Sequence, residues 1–146
     1  MKALIQRVSY AHIKVEGQTV AQINKGILIF LGIEKEDTPE MADFLSRKIA
    51  NLRIFEDNNG KMNLSVVDIK GEILIVSQFT LVGDTSRGNR PGFETAATPD
   101  KAKTLYEYFS KKVQDIGLFV QNGVFGADMK VELLNDGPVT FMLERK

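Results

Sequence analysis

Apolar positions recur with period two from Leu4 to Val15, where Ala3, Ile5, Ser9, Ala11, Ile13 and Val15 share one face, so this stretch predicts a strand. Glu16-Gly17 is a tight turn, and Thr19 to Ile23 resumes the extended pattern, which predicts a hairpin. After Asn24-Lys25-Gly26 comes Ile27 to Ile33, an almost unbroken apolar run. A run of that length predicts a strand covered on both faces. The period then changes. Thr38-Pro39-Glu40 reads as a hydroxyl cap, a proline at the first helical position and an acid at the positive end of the helix dipole. Met41, Phe44, Leu45, Ile49 and Leu52 follow at helical spacing. Thr98-Pro99-Asp100 repeats the start signal ahead of Ala102, Leu105, Tyr106, Phe109, Val113 and Ile116.

Between the two helices, strand-like segments are expected at 53–55, 65–69 and 72–81, with a turn at Asp57-Asn58-Asn59-Gly60. Phe119 to Gln121, Lys130 to Leu134 and Val139 to Leu143 complete the strands, the last two joined by a turn at Gly137-Pro138. Two helices against many short strands predict an α+β class: a sheet-rich, barrel-like single domain over residues 1–146.

Composition narrows the chemistry. At 146 residues the chain can bury a full core. Nineteen basic residues balance nineteen acidic ones, so no net field draws the whole surface to nucleic acid or to a membrane. Lys2 to Arg7 breaks too early for a signal peptide, and no apolar run reaches the ~20 residues of a membrane span. A cytoplasmic protein is the expectation. The absence of cysteine removes disulfides, thiolate ligands and a cysteine nucleophile. His12 is the only histidine and sits mid-strand, so histidine-based zinc sites are not expected. The carboxylates are scattered, and no phosphate loop or dinucleotide fingerprint is present. No metal or cofactor is expected. A catalytic site here would have to work with hydroxyls, amides and backbone dipoles.

Three segments qualify. Ser77-Gln78-Phe79-Thr80-Leu81 closes the apolar run Ile73 to Val76 with three polar side chains. As an extended segment it sets Gln78 and Thr80 on one face and Ser77 and Phe79 on the other. It is either a polar strand end that satisfies its own backbone or a place where free N–H groups hold an oxyanion. Asn135-Asp136-Gly137-Pro138 is either a plain turn or a close approach of backbone to ligand, with a bond that can be cis. Asp84 to Gly92 is a polar loop carrying Arg87 and Arg90, either solvated or a small positive hand for phosphates.

Over essentially its full length the sequence resembles the D-aminoacyl-tRNA deacylases, also called D-tyrosyl-tRNA deacylases. The resemblance is carried by Ile5-Gln6-Arg7-Val8, Gly26-Ile27-Leu28, Lys61 to Ser65, Ser77 to Leu81, Gly88 to Pro91, Phe125 to Met129 and Asn135 to Thr140. It implies a homodimer that hydrolyses the ester joining a D-amino acid to the acceptor end of tRNA. It further implies that Gly137-Pro138 is cis and enters the partner's pocket as a chirality filter. Backbone N–H groups near Ser77 and Phe79 would hold the oxyanion, Gln78 and Thr80 would position, and Phe125 and Met129 would wall the terminal adenine. The terminal ribose 2′-hydroxyl would position or activate the water, and Arg87 and Arg90 would meet the tRNA backbone. A small-ester hydrolase with Thr80 as nucleophile, and a non-catalytic module for the tRNA end, are the rival classes.

Overall fold

Strand β1 (Lys2–Val15) is the spine of the protein, and the computed structural model describes residues 1–146 around it. It turns at Glu16-Gly17, both at positive φ, into β2 (Gln18–Ile23), the hairpin its pattern predicts. The first half of β1 pairs antiparallel with β3 (Gly26–Gly32), with Lys2 opposite Gly32 and Val8 opposite Gly26. β3 runs parallel to β6 (Glu72–Ser77), which runs parallel to β7 (Phe119–Asn122). Parallel neighbours need crossovers. Helix α1 (Pro39–Asn51), with the small hairpin β4 (Phe55–Glu56) and β5 (Met62–Leu64), joins β3 to β6. Helix α2 (Pro99–Asp115) joins β6 to β7. The last strand, β8 (Lys130–Glu144), follows β1 along its other side.

Both helices cover one face of the sheet, where Ile5, Ile29 and Ile75 meet Leu45, Ile49, Leu105 and Phe109. On the other face β2 curls toward β6 and β7 and closes a second apolar cluster of Val8, Ile13, Ile23, Leu28, Leu74 and Val76. The sheet is a nearly closed barrel with two helices packed outside it. Its middle strands are therefore apolar on both faces, as the run Ile27 to Ile33 requires.

The structure corrects four local expectations. Neither Thr38 nor Thr98 caps its helix through the hydroxyl; proline, lacking an N–H and preset in φ, starts both helices instead. Residues 65–69 are a turn, because Ser65 and Asp68 satisfy each other: the Asp68 carboxylate accepts the Ser65 N–H (2.8 Å) and the Ser65 hydroxyl accepts the Asp68 N–H (3.1 Å). The strand expected over 72–81 ends at Ser77, since its partner β3 ends at Gly32. Gly137-Pro138 does not turn the chain between two strands. It interrupts the register of one continuous strand, β8.

Candidate active site

β6 delivers Ser77 opposite Leu31, and the Gln78 N–H donates to the Leu31 carbonyl at 2.9 Å. The chain then winds into a single 3-10 turn, Phe79–Val82, in place of continuing extended. Gly32 makes room for it: a Cβ there would lie 3.0–3.2 Å from Val82, Leu81 and the Gln78 carbonyl. The expected alternation of faces is thereby lost. Ser77, Gln78 and Phe79 all border one cavity, and Thr80 does not. The Thr80 hydroxyl is exposed and accepts a hydrogen bond from the Gln78 amide. Phe79 and Thr80 open the turn, so their N–H groups have no partner within it.

The cavity has a volume of about 500 Å³. Eleven of its 16 lining residues are hydrophobic, which suits a flat apolar group held by a few polar atoms. Ala96, Ala97, Pro99 and Ala102 form one wall, and Phe125 and Met129 another. The ring of Phe125 tilts against Tyr106, with centroids 6.0 Å apart. Tyr106 donates its hydroxyl to the Ile75 carbonyl (2.7 Å) and accepts from the Asn122 amide (3.1 Å). The Ser110 hydroxyl in turn donates to the Asn122 side-chain oxygen at 3.0 Å. Burial pushes the Tyr106 hydroxyl above its ordinary pKa of 10.0, against the opposing pull of the Asn122 hydrogen bond, so it stays a donor. A second cavity, of about 430 Å³, is bordered by Phe125 together with Tyr106, Ser110 and Asn122.

A general base is not evident at this site. Asp128 is the one carboxylate on the cavity wall; it is exposed and 3.4 Å from Lys130. His12 is elsewhere, stacked on Tyr10 and 3.6 Å from Glu132.

Gly137-Pro138 is cis and both residues are exposed. Arg7, buried to 5% exposure, anchors the segment: its Nε donates to the Asp136 carbonyl (3.0 Å) and Nη1 to the Ile54 carbonyl (2.8 Å). Asn135 spans the irregularity, accepting the Val139 N–H at 3.0 Å and donating to the Thr140 hydroxyl at 2.8 Å. This segment lies in the row of Arg7, Ile27 and Ile73, whereas Ser77 lies in the row of Ala3 and Leu31. Four residues along the strands and three strand spacings across separate them, roughly 20 Å. Within one chain the two motifs do not meet.

Arg87 and Arg90 sit on the loop from Asp84 to Gly92, closed by two 2.8 Å backbone hydrogen bonds between its end residues. Both are exposed and without an acidic partner within ion-pair distance. Hydrogen bonds from the Ser86 side chain and backbone hold the Asp84 carboxyl below its ordinary range. The loop is rooted at the rim of the cavity, because Phe93 packs on Phe79 with ring centroids 5.1 Å apart.

The family model described as D-Tyr-tRNA(Tyr) deacylase matches residues 4–144. The chain belongs to that family. A D-aminoacyl-tRNA deacylase of Geotalea uraniireducens (strain Rf4) is 62% identical over 144 residues, 99% of this chain and 93% of that one. A solved structure of a c-Myc DNA Unwinding Element Binding Protein superposes with a TM-score of 0.95 at 43% identity, covering 100% of this chain and 99% of that one. A probable eukaryotic D-amino acid tRNA deacylase shares the fold, at TM-score 0.84 and 18% identity, over 97% of each chain. The expectations of a deacylase family and of an ester-hydrolysing enzyme both hold.

Among the residues singled out in this deacylase sequence, the fold gathers Ser77, Gln78, Phe79, Phe125 and Met129 around one cavity. It leaves Thr80 at the rim, Arg87 and Arg90 on the adjoining loop, and Gly137 and Pro138 at the far end of the sheet. Sequence reasoning missed the small residues of the wall, which carry no chemical signal. It also gave Arg7 no role of its own, although its charge shares a face of β1 with Ala3, Ile5, Ala11 and Ile13.

Proposed function

We propose that this chain is one half of a homodimer that hydrolyses D-aminoacyl-tRNA in the cytoplasm, releasing the D-amino acid and the tRNA. The observation that carries the reading is the apolar cavity at the end of β6, rimmed by Ser77, Gln78 and the open N–H groups of Phe79 and Thr80. The terminal adenine lies against the wall of Phe125 and Met129, and the ester carbonyl points at the backbone of Ser77 to Phe79. Water adds to that carbonyl, its oxygen charge is held by backbone N–H groups, and the bond to the ribose oxygen breaks as the oxygen regains a proton. The neighbouring ribose hydroxyl of the substrate positions the water, which suits a site with no evident base. Gln78 and Thr80 position the turn. Thr80 as nucleophile is disfavoured because its hydroxyl is committed to the Gln78 amide.

Chirality is read by Gly137-Pro138 of the second subunit, whose carbonyls hold the substrate amino group and leave no space for an L side chain. Two observations support a contribution across subunits. The motif is roughly 20 Å from Ser77 of its own chain. It also projects from β8, which pairs only with β1 and exposes Leu134, Phe141 and Met142, a strand edge of the kind a second chain covers. Arg87 and Arg90 meet phosphates beside the cavity mouth.

The test is hydrolysis of D-aminoacyl-tRNA, its L counterpart and a matched free D-amino-acid ester. Rapid release from the D-aminoacyl-tRNA alone is expected. Equal turnover of the free ester would make the chain a small-ester hydrolase, and binding without turnover would make it a module for the tRNA end.

A further inference from the structure

We propose that Tyr106 is a positioning residue that fixes Phe125 as a wall of the substrate cavity. The inference rests on the assignment of Phe125 to the terminal adenine made above. Phe125 borders two cavities, about 500 Å³ and about 430 Å³, and packs only in part against the helix-side core. It lies in a tight turn after β7, where the Ala127 N–H reaches the Val124 carbonyl at 3.1 Å and Gly126 has a φ of 79°. The aromatic ring packed against it is that of Tyr106, at 6.0 Å and an interplanar angle of 46°, a favoured tilted arrangement.

Tyr106 is itself held rigidly. It is 4% exposed on α2, and its hydroxyl is fixed in two directions, by the Ile75 carbonyl and by Asn122. Asn122 is fixed in turn by Ser110, one helical turn beyond Tyr106. The Ile75 carbonyl also accepts the Gly123 N–H at 3.0 Å. β6, α2 and the end of β7 are therefore tied at one oxygen. That oxygen lies two residues before Ser77, and the Gly123 N–H bound to it lies two residues before Phe125. The adenine wall and the hydrolytic turn thus share one fixed reference, and Tyr106 connects the wall to it.

The test compares steady-state kinetics on D-aminoacyl-tRNA for Phe125→Ala, Tyr106→Leu, the double variant and Tyr106→Phe, with thermal melting of each. The worth of an aromatic pair converts to a KM increase of about 2- to 12-fold for Tyr106→Leu, with kcat little changed. Inhibition by AMP, a probe of the adenine site alone, should weaken in parallel. In the double variant KM should rise no further than in Phe125→Ala, because both changes remove the same wall. If Tyr106→Leu does not fold, Tyr106→Phe carries the test: it keeps the ring and frees it, and a raised KM that disappears in the Phe125→Ala background supports the role. An unchanged KM in folded Tyr106 variants, a fall in kcat alone, or additive effects in the double variant would overturn it. Should Phe125→Ala itself leave KM and AMP inhibition unchanged, the adenine assignment fails, and this inference with it.

Discussion

Replacing Gly137 by alanine tests a position tightly constrained by its backbone and its neighbours. Gly137 has a φ of 133°, a region L side chains rarely adopt. An added Cβ would lie 2.7 Å from the Val139 Cγ2, 2.9 Å from an Arg7 guanidinium nitrogen and 3.2 Å from the Val139 N–H. None of these can retreat easily: Val139 is buried, and Arg7 is pinned to the carbonyls of Asp136 and Ile54. The backbone conformation costs about 1–3 kcal/mol and the overpacking another 1–3 kcal/mol, so about 2–6 kcal/mol in all. For a chain of this size that lowers Tm by about 5 °C or more. Where the chain remains folded, hydrolysis of D-aminoacyl-tRNA should fall sharply, because the methyl also enters the space proposed for the substrate amino group. The assay is single-turnover deacylation at 25 °C beside a thermal melt of the same preparation. A variant that melts with the parent and turns over at the parent rate would refute both the strain argument and the filter.

Three other outcomes are expected. Thr80→Ala removes only the acceptor of the Gln78 amide and should lower kcat/KM by about 2- to 12-fold; complete loss with an intact fold, or an acyl-enzyme detected by mass spectrometry, would restore Thr80 as nucleophile. Affinity for tRNA should fall with salt at a log–log slope of about −2 to −4, and Arg87→Glu or Arg90→Glu should weaken binding without changing the preference for D over L; a much steeper slope means a footprint larger than this loop supplies. The Asp84 carboxyl is held below its ordinary value of 3.8, so its contribution to loop order is complete above that value and is lost as pH falls through the lower folded one. The Ser86 amide resonance should therefore titrate only below 3.8, and a midpoint at or above that value contradicts the hydrogen-bond assignment.

What the sequence makes visible here is local periodicity and local chemistry. The helices begin at their prolines and the central strands are apolar on both faces because each property is written within a dozen residues. The misread segments depend on partners far along the chain. Asn135 to Pro138 carries real turn chemistry, yet β1 pairs on both sides of it, and the Asn135 side chain bridges the gap in the ladder. Apolar residues continue past Ser77, but β3 ends at Gly32 and offers nothing further to pair with. Arg7 acquires its role from carbonyls 47 and 129 residues away, which no local pattern reveals. Gly137-Pro138 and Ser77 lie at opposite ends of one sheet, and on the proposed reading a second subunit brings them together.

That last point is open to a direct measurement. On the proposed reading Gly137→Ala damages the filter and Phe125→Ala the cavity wall, so each homodimer would carry two damaged sites. Unfolding and refolding the two variants together yields mixed dimers. If Gly137-Pro138 serves the partner's cavity, a mixed dimer has one site damaged twice and one site fully intact. Deacylation of D-aminoacyl-tRNA by the mixture should then rise well above either variant alone, toward a quarter of the parent rate at equal mixing. A mixture no more active than the average of its components would contradict a site built from two chains.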